Sequence, residues 1–268
     1  MRVDETRDNS LDPPLGADTD FGSRRVAEAA KAPLVRAVFD SVAEHYDLMN
    51  DLMSAGIHRW WKAEMVRVLN PRPGHRLIDV AGGTGDIARR ALPSLAPPGA
   101  VPSAGGGVIV CAANREMLET GRARALDDGI LAGIEWLGGD AEALPFADRS
   151  FDLYTIAFGL RNVTRIDRAL AEARRVLKPG GRFLCLEFTP AVAPLLQPAY
   201  DFYSFQVLPW LGQIVTGNRD AYAYLVESIR RFPPQTALLE MIAAAGLERA
   251  NCRNLTGGIA ALHSAWRL

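Results

Sequence analysis

Residues 79–86, DVAGGTGD, carry the strongest chemical signal in the chain. Glycines at 82, 83 and 85 let the backbone approach a ligand closely and take up positive φ, and a helix beginning just after them would direct its free N–H groups at the same place. The turn reads as a cofactor cradle, with a merely tight turn as the bland alternative. Gly83, Gly85 and Ala88 also satisfy the dinucleotide fingerprint GxGxxG/A. That fingerprint asks for an acid about 20 residues on, at the end of the next strand, to hold a ribose diol. Here the next strand ends in Cys111-Ala112-Ala113 and offers no carboxylate, although Arg115 could meet a 2′-phosphate. Further along, GDAEALPFADRSFD (139–152) places Asp140 after a third strand, where an acid can bind an adenine amino group. Arg161 and Asn162 follow an apolar strand end and Gly159, at the edge where open α/β sheets bind ligands. A surface salt bridge is the alternative role for Arg161.

Such residues need a sheet to present them. RLIDVA (76–81), GVIVCA (107–112), IEWL (134–137), FDLYTIAF (151–158) and RFLCLEF (182–188) read as strands, with helices over about 114–129 and about 164–177 between them. This alternation predicts a parallel sheet covered on both faces. LERANCRN (247–254) and GIAALHSAW (258–266), joined by a short glycine turn, read as a closing antiparallel hairpin. Val35, Val38, Phe39, Val42, Tyr46 and Met49 form one helical stripe ahead of the first strand. The expected organisation is an arm over residues 1–33, acidic in its first twenty, then one domain over 34–268 with a helical cap (34–70) and an apolar lid (190–231).

With 268 residues, 49% apolar and 23% charged, the chain is globular rather than disordered, coiled-coil or disulfide-stapled. A net charge of −1 asks for no nucleic acid. Cys111, Cys185 and Cys252 have no metal-ligand spacing and read as buried thiols in a reducing compartment. The first twenty residues lack both the basic pattern of a transit peptide and the apolar core of a secretory signal. No stretch reaches the roughly 18 apolar residues a spanning helix needs, so a cytoplasmic or membrane-surface protein is expected.

An adenine-binding acid after the third strand and an antiparallel final hairpin are the layout of S-adenosylmethionine enzymes rather than of ordinary dinucleotide folds. The chain resembles the ubiquinone/menaquinone biosynthesis C-methyltransferase family through VFDSVAEHYDLMNDLMS (38–54), LIDVAGGTGD (77–86), NREML (114–118), DAEALPF (140–146), FGLRNV (158–163), RVLKPGGRFLCLEF (175–188), YLVESIRRFP (224–233) and NLTGGIAALH (254–263). The resemblance implies a Rossmann-like α/β methyltransferase fold, with a mostly parallel seven-stranded sheet, and S-adenosylmethionine as cofactor. It implies transfer of a methyl group to a ring carbon of a polyprenylated quinol. It places Gly82, Gly83, Thr84 and Gly85 against the methionine part of the cofactor and Asp140-Ala141 at the adenine. Arg161 and Asn162 would face the substrate, with Tyr46 and Asp47 closing the site.

Two positions depart from the family pattern. Ala112 stands where an Asp usually clamps the ribose, and Ala157 stands where a Ser is common. They are the grounds for an alternative, a non-catalytic member serving as a scaffold in a biosynthetic complex. Transfer to carbon needs an in-line approach and an electron-rich ring, best supplied by an ionised phenol. A guanidinium keeps its charge at neutral pH, so Arg161 suits phenolate stabilisation rather than general-base work, with Asn162 orienting the ring oxygen. Tyr46, His45 and water remain open as proton acceptors, and His263 reads as a satisfied structural histidine. Phe202, Tyr203, Phe205 and Trp210 are expected to line a prenyl channel or dock on a membrane, or else to be packed in the core or a homodimer interface.

Overall fold

Apolar runs bounded by glycine and proline build the sheet where the sequence places it. The computed structural model describes residues 18–40, 56–96, 106–190 and 219–268, and between them 51, 54, 198, 202–207 and 210. Strands β1 (Asp18–Phe21) and β2 (Arg24–Ala27) form a hairpin ahead of α1 (Glu28–Asp40) and α2 (His58–Leu69). There follow β3 (Arg76–Val80), α3 (Asp86–Ala91), β4 (Gly107–Ala112), α4 (Arg115–Asp127), β5 (Ile134–Gly138) and β6 (Phe151–Ala157). The chain closes with α5 (Ile166–Val176), β7 (Leu177–Phe188), α6 (Arg219–Arg231), α7 (Gln235–Ala244), β8 (Glu248–Leu255) and β9 (Ala260–Trp266).

The seven-stranded sheet has the order β5-β4-β3-β6-β7-β9-β8, and β9 runs antiparallel to both of its neighbours. This is the expected mostly parallel sheet with an antiparallel closing hairpin. Strand order reverses between β3 and β6, so the loops after these two strands part on either side of a crevice where open α/β sheets take ligands. Alternation along β3 separates two buried layers: Leu77 packs with Trp61, Met65 and Leu184, while Ile78 and Val80 pack with Ile109, Phe151 and Leu170. β3 and β4 are buried on both faces, which is why they read as unbroken apolar runs.

Two expectations are corrected. Residues 18–33, expected in the N-terminal arm, instead form the hairpin and the start of α1. Phe21 stacks on Tyr224 with centroids 4.5 Å apart, and Lys31 is buried and donates to the Val163 carbonyl at 3.0 Å. α1 therefore begins six residues ahead of residue 34, where the cap is expected to start, and runs through Pro33 because tertiary contacts hold its first turns. β7 begins at Leu177 rather than 182: Leu177 pairs with Phe151, the register then shifts, and Arg182 pairs with Leu153, so LKPGG bulges within the strand. The segment 41–50 of the cap and most of 190–218 lie outside the described residues.

Candidate functional site

The glycine turn joins β3 to α3 at the reversal point. Gly85 N–H donates to the Gly82 carbonyl at 2.8 Å, and Gly83 and Gly85 take φ of +53° and +70°. A Cβ on Gly85 would stand 2.4 Å from the Trp136 ring, and one on Gly121 of α4 would stand 2.7 Å from the Thr84 carbonyl. The turn is thus wedged against α4 and β5, leaving room for backbone only. Ala81, just ahead of it, and Phe158, at the end of β6, are both left-handed at φ +51° and +55°, a conformation costing roughly 1–3 kcal/mol at a non-glycine residue. The two turns touch: a Cβ on Gly159 would lie 2.5 Å from the Ala81 Cβ.

Asp79, which sequence reasoning left unassigned, lies beneath this turn and is fully buried. One oxygen accepts from Thr155 Oγ1 at 2.8 Å; Oδ2 has no partner among the described residues and would be 2.6 Å from a Cβ on Gly82. Burial pushes the carboxyl up to about 7, against the opposing pull of Thr155 and Lys62. Buried Lys62 and half-buried Asp86 face it as an ion pair at 2.9 Å. For Asp86, burial acts upward but Lys62 and Arg90 outweigh it and hold the group at about 2. An unpartnered carboxyl oxygen beside a backbone-only cradle suits the amino group of an amino-acid moiety.

Asp79 also predicts a pH dependence. Its folded value is raised above an unfolded value of about 4, so its contribution to stability is full below about pH 4 and is lost as pH rises through about 7. Denaturant titrations of Asp79→Asn and the intact chain are expected to diverge in the variant's favour across that window, and a constant difference would contradict this.

The end of β4 supplies the next wall. Ala112 is buried, and its carbonyl accepts from Gly139 N at 3.1 Å, which ties this strand end to the loop carrying Asp140 and Ala141. Asp140 is exposed, with Oδ1 accepting from Glu142 N at 2.9 Å. Burial and the nearby carboxylates Asp140 and Asp79 push the Cys111 thiol up to about 12, so it is not a nucleophile. Asn114 caps α4 by accepting from Met117 N at 3.0 Å and donates Nδ2 to Asp40 of α1 at 2.6 Å. Glu142 accepts from Thr164 N and Arg165 N at 2.9 and 3.0 Å, linking the Asp140 loop to the loop after Asn162.

Across the crevice, Arg161 and Asn162 lie in a single 3-10 turn after β6. The Arg161 side chain is only 2% exposed. Its Nη1 donates to Glu187 Oε1 at 2.7 Å and to the Phe158 carbonyl at 2.5 Å, and Nε has no partner among the described residues. Burial holds the Glu187 carboxyl above the usual carboxylate range, against the opposing pull of Arg161. The guanidinium lies 5.7 Å from the Phe188 ring centroid, beside an aromatic group of Trp61, Phe158 and Phe188. Tyr224 donates its hydroxyl to Asn162 Oδ1 at 3.0 Å, and burial pushes that phenol up to about 12, so it remains a donor. Tyr224 also walls a groove of about 540 Å³ with Phe21, Leu34, Val38 and Ala221, rimmed by Arg24 and Glu227.

The structure therefore brings Gly82, Gly83, Thr84, Gly85, Ala112, Asp140, Ala141, Ala157, Arg161 and Asn162 to the carboxyl ends of neighbouring strands. Tyr46, Asp47 and His45 lie outside the described residues. Phe202 and Trp210 are exposed, Tyr203 is half-buried, and the Phe205 side chain is outside the description. His263, expected to be a satisfied structural histidine, is buried in β9 and pushed down to about 4 by desolvation. It is not satisfied, however, since neither ring nitrogen has a hydrogen-bond partner among the described residues. Sequence reasoning missed Asp79 and Glu187, whose signal was a lone carboxylate in an otherwise apolar central strand.

Residues 25–267 match the model of the ubiE/COQ5 methyltransferase family. The ubiquinone/menaquinone biosynthesis C-methyltransferase UbiE of Paracoccus denitrificans is 57% identical over 251 residues, covering 94% of this chain and 97% of the relative. The mitochondrial 2-methoxy-6-polyprenyl-1,4-benzoquinol methylase of Danio rerio is 50% identical over 279 residues, covering 94% and 85%. Among solved structures, a SAM-dependent methyltransferase from Thermotoga maritima shares the fold, with a TM-score of 0.57, 19% identity, and coverage of 87% of this chain and all of that one.

Proposed function

This chain belongs to the ubiE/COQ5 methyltransferase family, and on that premise we propose that its acceptor is the ring carbon of a polyprenylated quinol, a benzoquinol or a naphthoquinol precursor of ubiquinone or menaquinone. The enzyme is an S-adenosylmethionine-dependent methyltransferase. The observation that carries the acceptor assignment is the contact between the two turns. Ala81 of the cofactor turn meets Gly159 of the turn bearing Arg161 and Asn162, so a ring held by the latter lies beside the cofactor. No comparison supports a scaffold without catalysis.

Bound S-adenosylmethionine supplies a methyl group already activated on a sulfonium. Gly82, Gly83, Thr84 and Gly85 would hold its methionine part, Asp79 its amino group, and Asp140-Ala141 its adenine. Arg161 is locked by Glu187 and the Phe158 carbonyl, and its Nε–H is left as a buried donor for the acceptor's phenolate oxygen, directly or through a water. With Oδ1 of Asn162 occupied by Tyr224, the amide N–H₂, unpartnered among the described residues, would orient that same oxygen. Arg161 does not take the ring proton, since a guanidinium keeps its charge.

The apolar groove beside Tyr224 would take the start of the prenyl tail, and exposed Phe202 and Trp210 would rest on the cytoplasmic face of the membrane that dissolves it. None of the described helices is long and apolar enough to cross a bilayer. Membrane contact would therefore be peripheral, and the protein would work singly, as a homodimer or within a biosynthetic complex. Assaying both quinol classes in vesicles with tails of graded length is the test. Methylation with KM rising as the tail shortens is expected; equal KM at all lengths would remove the groove from the account, and no methylation of either ring would overturn the acceptor.

A further inference from the structure

α1 crosses the open edge of the site. Near its start, Glu28 accepts from Arg165 at 2.8 Å and Lys31 donates to the Val163 carbonyl, both beyond the end of β6. Its last residue, Asp40, accepts from Asn114 Nδ2 at 2.6 Å, beyond the end of β4. A 13-residue helix spans about 20 Å, enough to bridge three neighbouring strands spaced about 5 Å apart.

Asn114 is itself fixed: it is buried, and its Oδ1 caps α4. The carboxylate it holds is therefore positioned although Asp40 is exposed, and the other Asp40 oxygen has no partner among the described residues. Two residues before Asn114 is Ala112, at the strand end where a Rossmann-type sheet keeps the carboxylate that grips ribose hydroxyls. The cap helix thus delivers a carboxylate to Asn114, two residues beyond the strand end that lacks one. Glu116 is the nearest acid in sequence, but it is exposed and no hydrogen bond among the described residues fixes it.

We propose that Asp40 holds the cofactor ribose in this chain, with Asn114 as its positioning residue, in place of the carboxylate missing at Ala112. The proposal rests on S-adenosylmethionine as the cofactor. It makes the cap helix part of the cofactor site, so seating α1 and gripping the ribose become one event.

The test is calorimetric titration of the full chain with S-adenosylhomocysteine and with its 2′- and 3′-deoxy analogues. Asp40→Ala and the near-isosteric Asp40→Asn are expected to weaken binding about ten- to a hundredfold, the range for losing a charge-assisted hydrogen bond. Glu116→Gln should leave it unchanged. Removing a ribose hydroxyl should cost the intact chain affinity yet cost Asp40→Ala little more. Ala112→Asp should restore binding in the Asp40→Ala background but give no gain in the intact chain, where two carboxylates would crowd one diol. Wild-type affinity in both Asp40 variants, or an equal gain from Ala112→Asp in both backgrounds, would overturn the proposal. Failure of the intact chain to bind would overturn the cofactor assignment with it.

Discussion

Arg161→Ala is expected to lower turnover by about two to three orders of magnitude, the size of effect seen when one oxyanion donor is lost. It should also destabilise the fold by about 3–5 kcal/mol, because the buried Glu187 carboxyl loses its only cation among the described residues. The geometry gives both numbers one origin, since the guanidinium that would face the acceptor is the group that neutralises Glu187 at 2.7 Å. The two effects can nevertheless be separated. Replacing both partners with apolar residues, Arg161→Met with Glu187→Leu, removes the uncompensated charge, so stability should return while turnover does not.

pH supplies a further sign. In Arg161→Ala the Glu187 carboxyl is held protonated by burial, whereas in the unfolded chain it ionises above about pH 4.3. Burial already holds Glu187 above the usual carboxylate range in the intact chain, so the stability deficit of the variant should grow only as pH rises past that raised range, by at most about 1.4 kcal/mol per pH unit. Denaturant titrations over that range check it, and a deficit independent of pH would mean that Glu187 is not the source.

Gly82→Ala is expected to weaken S-adenosylhomocysteine binding by about a hundredfold, as a displacement of about 1 Å in a binding turn does. The added Cβ would stand 2.6 Å from Asp79 Oδ2 and 2.9 Å from both the Asp79 carbonyl and Val110 Cγ1. All three contacts belong to buried residues of the central strands β3 and β4, and the Asp79 carbonyl is backbone that cannot move aside, so the turn must. Gly83→Ala makes an informative comparison. Its Cβ would meet only the Met117 side chain, 2.7 Å away at a terminal methyl that can rotate, and its remaining cost is that of alanine at φ +53°. Calorimetry with both variants should rank Gly82 well above Gly83, and equal losses would contradict the clash geometry.

How far the sequence shows this arrangement depends on the range of the interaction. β4 is legible to the residue, 107–112, because all six positions are buried and glycine and asparagine bound them. The parallel order and closing hairpin follow from alternation and from a turn too short for a crossover. α1 is less legible: Pro33 and the polar EAAK before it look like a boundary, and only the contacts of Lys31 with Val163 and of Glu28 with Arg165 keep the helix intact through them. In the site, the glycine turn, Asp140 and the Arg161-Asn162 pair stand in local motifs and can be read directly. Glu187 and Asp79 carry a weaker local signal, a charge inside an apolar strand. The Tyr224 hydrogen bond to Asn162 spans 62 residues and that of Asn114 to Asp40 spans 74, and no local pattern reports either.

The central claim is that the residues around Arg161 direct an activated methyl group to carbon. Incubating the purified chain with S-adenosylmethionine labelled with ¹³C at its methyl group and a polyprenylated benzoquinol, then reading the product by NMR, tests it most directly. The account predicts the label as an aryl methyl carbon in place of one ring proton, with the signal falling about a hundredfold in Arg161→Ala. A label found as a methoxy carbon, or a yield unchanged in Arg161→Ala, would contradict it.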